Sequence, residues 1–383
     1  MIRKPLSEIA DIQTGPFGSQ LHKDDYVEFG TPIVTVEHLG HRVFTEQNLP
    51  KVSPEDKQRL NKYVLSEGDI VFSRVGSVDR CSYVDSDHDG WMFSGRCLRV
   101  RPNEEINSLF LYYFFCLEDT KQFVSKIAVG ATMPSINTKL MGEIPIVYPD
   151  LDIQTKIAEI LSRIDDKIET NDKINQNLYE QIQTIYCKDF DPALNEVTGV
   201  LSDICKLSTD KVQISDLSVS TYYSTENMQP NKAGAVDASS LPSVSQTTRC
   251  RKGDVLVSNI RPYFKKIVYV TEECGCSTDV LCFVPQPDYS AFLFGTLYMD
   301  RFFDYMVAGS KGTKMPRGDK QQIMKYPIVV PTAEAIIDFN AVVIPMLEQI
   351  TINNKENRRL ATMRDTLLPR LMSGELDVSE IEL

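Results

Sequence analysis

A chain of 383 residues, 42% hydrophobic and 25% charged, has the length and composition of a globular protein with two ordinary domains, not of a disordered or fibrous one. Its net charge of −12 excludes a generic DNA-coating protein, yet residues 249–325 carry 12 Lys and Arg against 8 Asp and Glu, so basic surfaces on an acidic body stay open. The longest uninterrupted apolar run, residues 109–117, is too short to span a bilayer. The N-terminal stretch has no secretion-signal core, and nine irregularly spaced cysteines fit reduced thiols, so a cytoplasmic protein without a membrane partner is expected.

Residues 1–150 read as a mixed globular region. Gly30-Thr-Pro-Ile-Val-Thr-Val, Gly68-Asp-Ile-Val-Phe-Ser and Cys97-Leu-Arg-Val-Arg-Pro are short apolar runs bounded by Gly and Pro, a pattern that predicts strands. Residues 109–127 have helical spacing. Ile144-Pro-Ile-Val-Tyr-Pro is a short extended piece whose prolines suit an edge or a domain exit.

Beyond residue 150 the periodicity changes. Ile153, Ile157, Ile160, Ile164, Ile168, Asn171, Asn175, Leu178, Ile182 and Ile185 fall three or four residues apart, which predicts one long helix over 151–188 with a coiled-coil seam. At 1.5 Å per residue it would extend roughly 50 Å. Residues 189–200, rich in Asp, Pro and Gly, form a linker. A second mixed region occupies 201–332, with a Pro-, Gly-, Ser- and Ala-rich loop over 228–245. A second long helix and tail occupy 333–383, with Phe339, Met346, Ile350, Asn353, Asn357, Leu360 and Leu367 on its seam. Pro345 predicts that this helix starts or kinks there.

The two halves are copies. A constant shift of 182 positions lays Gly130 on Gly312, Met133 on Met315, Pro134 on Pro316, Pro145 on Pro327, Pro149 on Pro331, Ile168 on Ile350, Asn171 on Asn353 and Asn175 on Asn357. Leu6-Ser-Glu-Ile also echoes Leu201-Ser-Asp-Ile, and Gly68-Asp-Ile-Val-Phe-Ser echoes Gly253-Asp-Val-Leu-Val-Ser. So long a period marks a duplicated domain and not a solenoid. Such an internal pseudo-dimer suits a target with two half-sites. The recurring seam asparagines either edge a surface helix or meet inside a helix pair and fix its register.

Catalytic chemistry has no visible carrier. The four histidines (His22, His38, His41, His88) all lie in the first half. No HExxH, nucleophile elbow, P-loop or methyl-donor motif is present. Cys274-Gly-Cys276 with Cys282 has no histidine in its half to complete a zinc set, so it reads as ordinary thiols and no metal is expected.

Two mixed regions, each followed by a long helix, resemble the specificity subunit of type I restriction-modification systems. The motifs that carry the resemblance are Gly15-Pro-Phe-Gly-Ser-Gln-Leu with Asp25-Tyr26, then Gly68-Asp-Ile-Val-Phe-Ser-Arg-Val-Gly, the Gly130 and Gly312 loops with their Met-Pro, and Gln154 ahead of Ile157-Ala-Glu-Ile-Leu-Ser-Arg-Ile-Asp. Leu367-Leu-Pro-Arg-Leu-Met-Ser-Gly-Glu-Leu is similar to the family's ending. The second half departs from the pattern, with Ile336 in place of Gln154 and no Gly-Pro-Phe-Gly opening after Leu201.

The resemblance implies an α+β chain: two pseudo-symmetric mixed α/β target recognition domains separated by a pair of long antiparallel coiled-coil helices. It implies a non-catalytic subunit that reads a bipartite sequence in double-stranded DNA and carries two modification (methyltransferase) subunits, which a restriction subunit can join. No cofactor is expected on this chain, and S-adenosylmethionine belongs to the partner methyltransferase. A stand-alone DNA-binding scaffold or decoy without an active partner is the alternative. Half-sites one DNA turn apart lie roughly 34–36 Å from each other, a span that the helix pair can rule. Polar and cationic residues in the loops after the strands are the candidate readers. In the first domain these are Lys23, Arg74, Ser77, Arg80, Thr132, Asn137 and Lys139. In the second they are Asn259, Arg261, Lys265, Lys266, Thr313, Lys314 and Arg317. Arg suits guanine, Asn suits adenine, and Lys chiefly meets phosphate.

Overall fold

The computed structural model describes residues 1–381 except Phe17, Ser19, His41, Ala131 and the side chain of Lys23. The chain forms two compact units. Residues 1–169 with 357–383 make the first, and residues 170–356 make the second. The division runs through both long helices, so each unit owns a segment of each.

In the first unit, strands Ala10–Thr14, Cys97–Pro102, Ile70–Ser73 and Cys81–Tyr83 lie in that spatial order, all antiparallel. The second unit repeats this with Cys205–Leu207, Val280–Pro285, Val255–Ser258 and Ile267–Tyr269. Each unit also pairs its first strand with a proline-led strand at the far end of its mixed region. Ile2–Pro5 meets Pro145–Tyr148, and Gly199–Val200 meets Pro327–Ile328. Even side-chain detail recurs. Gly68 and Gly253 both adopt positive φ, and above them Tyr83 meets Ser108 (3.3 Å) and Tyr269 meets Ser290 (2.9 Å).

The smaller second sheets are where the units diverge. Tyr26–Val27, Lys51–Val52, Thr31–Val34 and Met92–Phe93 form one. Lys211–Gln213, Gln246–Cys250, Cys274–Cys276 and Tyr222–Tyr223 form the other. Both have two antiparallel joints and one parallel joint, but the parallel partner comes from a different place in the chain. Cys250, Cys274, Cys276 and Cys282 are buried together in this part of the second unit as free thiols.

Two helices cover each large sheet, Ser108–Cys116 with Glu118–Ile127 and Ser290–Tyr298 with Asp300–Ala308. The first of each pair is apolar all round because it is sandwiched. In the first unit Asn107 caps it, accepting from the Phe110 amide at 2.9 Å, and buried Gln154 holds the cap by accepting from the Asn107 amide at 2.8 Å. The second unit dispenses with this polar clamp and buries Ile336 in its core.

The central helix Leu151–Phe190 and the C-terminal helix Ala333–Met372 have 40 residues each. The C-terminal helix starts at Ala333 and runs through Pro345, so it does not begin at that proline. Pro345 is solvent-exposed, as is Ala341, whose carbonyl the missing amide would have bonded, so that carbonyl is open to water. The buried stripe also differs, with Val343 and Leu347 inside and Met346 only half-buried. Isolated polar residues interrupt apolar runs here, and this helix is long and apolar enough, by length and composition alone, to cross a membrane. Phe339, Val343, Leu347 and Ile350 are nevertheless spent on the second unit's core, packed with Tyr186, Phe190 and Phe292.

Within each unit the two helix segments run antiparallel. In the first, Asp165 is buried between the Tyr113 hydroxyl (2.6 Å) and the Arg364 guanidinium (2.7 Å). In the second, the Asn175 amide donates to Asn354 at 2.9 Å and accepts from Asn353 at 2.8 Å, while Asn171 donates to Glu356 at 2.8 Å. Asn171, Asn175 and Asn353 are buried, so these amides meet inside the pair. Asn357 is half-buried and belongs to the first unit.

Replacing Asn175 with Leu strands the Asn353 amide in an apolar seam and is expected to destabilise the protein by about 1–3 kcal/mol in chemical denaturation. Asn175→Leu with Asn353→Leu should recover most of that loss, because two matched apolar groups leave less polar surface unpaired.

Candidate nucleic-acid interface

In each unit two loops are zipped together at the end of the large sheet. In the first, the Arg74 carbonyl accepts from Ile136 at 3.0 Å, the Gly76 amide donates to Pro134 at 2.8 Å, and Val75 and Val129 both bridge Ser135. In the second, the Asn259 carbonyl accepts from Gly318 at 3.2 Å, the Arg261 amide donates to Pro316 at 2.8 Å, and Ile260 and Lys311 both bridge Arg317. The bonding pattern is the same. It makes Arg74 equivalent to Asn259, Gly76 to Arg261, and Ser135 to Arg317.

Gly76 and Arg261 both hold left-handed backbone, at φ 80° and 48°. Glycine takes this conformation freely, whereas an arginine is strained there by of the order of 1–3 kcal/mol. The second unit therefore tolerates strain to carry a guanidinium where the first carries nothing. Beside it, the Asn259 Oδ1 is buried without a hydrogen-bond partner among the described residues, and so is the Arg261 Nε. Arg317 pairs with Asp279 at 3.0 Å, and Asp279 also accepts from the Asn259 amide through its carbonyl. An open cleft of about 470 Å³ adjoins them, lined by Ser224, Glu226, Asn227, Asp237, Ser277 and Asp279. These side chains offer acceptors and hydroxyls suited to exocyclic amines.

The other candidate readers divide into presented and committed groups. Ser77, Thr132, Lys139, Thr313 and Lys314 are exposed. Arg74 is half-buried, with its guanidinium donating to the Gly95 carbonyl at 3.2 Å. Asn137 caps the helix Thr138–Gly142 by accepting from the Leu140 amide at 2.9 Å, just as Asp319 caps the equivalent helix. Arg80 folds back onto the Leu39 carbonyl. Lys265 pairs with Asp300 at 3.1 Å, and Lys266 donates to the Thr225 carbonyl at 2.6 Å, with burial lowering its pKa from the ordinary value. Arg80, Lys265 and Lys266 thus hold loops in place. The side chain of Lys23 lies outside the described residues.

Sequence reasoning, tuned to polar groups, passed over the loop tips. Met133 and Met315 stand 66% and 51% exposed at equivalent positions, and Tyr263 and Phe264 are also exposed. The recurrence of Met-Pro in both copies was the available signal.

Residues 3–180 match the Type I restriction modification DNA specificity domain. Two relatives match across most of their lengths. The type I restriction enzyme MjaIX specificity subunit of Methanocaldococcus jannaschii is 24% identical over 74% of this chain and 72% of its own. The HindI specificity subunit of Haemophilus influenzae is 23% identical over 82% of this chain and 88% of its own. The first half of the chain matches this domain, and most of its length is similar to specificity subunits of type I restriction enzymes. The fold agrees: the crystal structure of the S subunit from M. genitalium superposes with a TM-score of 0.59, at 16% identity, covering 97% of this chain and 95% of that one.

Relief of strain at Arg261 is directly measurable. Arg261→Gly should raise stability by about 1 kcal/mol in urea unfolding, since glycine accepts the same φ without penalty. Gly76→Ala should lower it by a similar amount, because its φ of 80° disfavours a side chain.

Proposed function

We propose that this subunit reads a bipartite duplex DNA target, one half-site per unit, and that its paired loops make the base contacts. As a specificity subunit it is the DNA-recognising, non-catalytic part of its complex. The observation that carries the two-reader assignment is the repeated zipper of loops. It presents different side chains from one backbone frame: Arg74, Gly76 and Ser135 in the first unit, and Asn259, Arg261 and Arg317 in the second. A shared frame with changed side chains is what two half-sites of different sequence require.

The long helices carry the partner surface. Opposite the buried Phe339, Val343 and Leu347, the C-terminal helix leaves Ile337, Ile344 and Ile352 exposed. This second apolar stripe, beyond what the core uses, supports docking of a modification subunit on the helix face. Two such subunits, one for each half of the duplicated chain, would bind S-adenosylmethionine and methylate adenine, and a restriction subunit can join them. The nine free thiols fit a cytoplasmic setting.

The test is a binding titration of the assembled complex against single-base variants of its target, at two salt concentrations. Arg74→Ala should relax specificity in one half-site only, and Arg261→Ala or Arg317→Ala in the other, each costing about 1–3 kcal/mol of discrimination at one base pair. Lys314→Ala should weaken all sequences alike and flatten the salt dependence. If Arg74→Ala and Arg261→Ala disturb the same bases, the two-reader account is wrong.

A further inference from the structure

The turn after strand Val255–Ser258 reads Asn259-Ile-Arg-Pro-Tyr-Phe-Lys-Lys. Its three central residues, Pro262–Phe264, form a single helical turn clasped between two left-handed residues, Arg261 (φ 48°) and Lys265 (φ 51°). A second strained pair braces it. Asn231 (φ 55°) and Lys232 (φ 63°) donate their amides to the carbonyls of Phe264 (2.8 Å) and Lys265 (2.9 Å). The ammonium groups of Lys232 and Lys265 both grip Asp300, at 2.6 and 3.1 Å. Four non-glycine residues in left-handed backbone at one spot is a costly arrangement, and such strain persists only where the surroundings over-determine it.

What this clasp holds out is apolar. Tyr263 and Phe264 are 48% and 38% exposed, with ring centroids 4.8 Å apart. A turn built to complete a core would turn its rings inward, whereas here the backbone is pinned and the rings face solvent. Cations surround them. Arg261 precedes the pair, the Lys266 ammonium lies 5.9 Å from the Phe264 ring, and the Arg261 amide is zipped to the loop that carries Lys314 and Arg317. The corresponding turn of the first unit, Gly76-Ser-Val-Asp-Arg, has no aromatic residue.

Resting on the DNA-reading role above, we propose that Tyr263 and Phe264 form an aromatic wedge that enters the base stack at the second half-site. Aromatic faces stack on any base, the exposed Lys314 on the zipped loop meets a phosphate, and a rigid turn loses little entropy on insertion. The wedge partly unstacks one step, so it selects for steps that deform easily, pyrimidine–purine steps above all, without contacting their edges. It acts in one half of the target only. Methylation of adenine requires that base to leave the stack, and an already opened neighbouring step makes its extrusion easier.

The experiment uses the subunit assembled with its modification subunit on a duplex whose target has been assigned by methylome sequencing. 2-Aminopurine is placed in turn at each position of both half-sites and their flanks. Fluorescence should rise at the extruded adenine of each half-site and, in the second half-site alone, at one further step. Tyr263→Ala with Phe264→Ala should abolish the rise at that further step and weaken binding by about 10- to 100-fold, in line with the loss of one stacked base. A mismatch at that step, which opens it in advance, should restore affinity of the variant to within about threefold of the parent. Both side chains are exposed, so the fold should tolerate their loss. A parent complex that binds its target with no fluorescence change in the second half-site beyond its extruded adenine overturns the proposal. So does a double variant that binds and signals like the parent, or one that keeps DNA affinity and loses the modification subunit, which would make the pair a protein contact. A parent that binds no target duplex would overturn the DNA reading itself, and the wedge with it.

Discussion

The constraint on which the rest of this structure hangs is the need to satisfy buried amides in an otherwise apolar helix pair. An Ile- and Leu-lined seam tolerates sliding, because one register buries nearly as much as the next. Asn175 removes that freedom. It needs an acceptor and a donor at once, and Asn354 and Asn353 supply both only when the C-terminal helix lies in a single register. Asn171 repeats the requirement against Glu356 four residues away. In the first unit Asp165 plays the equivalent part, since a buried carboxylate needs Tyr113 and Arg364. Stability is given up at each of these points for a unique pairing, and that pairing sets which residues the helices lend to each core.

Duplication then does the rest. One covalent frame, a four-stranded antiparallel sheet backed by two helices and closed by a proline-led strand, is built twice from sequences that share few residues. The two units share the parts that position the loops. These are the glycines at positive φ beneath Ser108 and Ser290, the Tyr–Ser contacts, and the hydrogen bonds from Ile136 and Gly318. They differ in what the loops present. Arg261 in the backbone niche of Gly76 is the sharpest instance, because its strain has no counterpart in packing.

The helices and the repeat were legible from spacing alone, since periodicity survives substitution. The equivalence of the reading loops was not. A shift of 185 lays Ser73 on Ser258 and Arg74 on Asn259, whereas the Gly130 and Gly312 loops align at 182, so no single offset pairs both loops of each zipper. Only the backbone bonds show that the two loops of each unit are zipped together. Roles of individual cations were equally hidden, because Lys265 and Arg80 look like surface groups in sequence and become loop anchors once Asp300 and the Leu39 carbonyl lie beside them. Pro345 misled for a related reason: a proline inside a helix always costs an amide hydrogen bond, but on the solvent face water can satisfy the freed carbonyl while the buried stripe holds the helix together.

Helix length is where the account is most exposed to contradiction. The central helix is continuous over 40 residues, about 60 Å at 1.5 Å per residue, and it passes from one unit into the other. If it sets the distance between the two readers, one heptad inserted into it and a matching heptad inserted into the C-terminal helix preserve the seam and move the readers apart. Methylome sequencing of a host carrying the lengthened subunit should then find both half-site sequences unchanged and the unread spacer between them longer. Altered half-site bases with the original spacer would contradict the account.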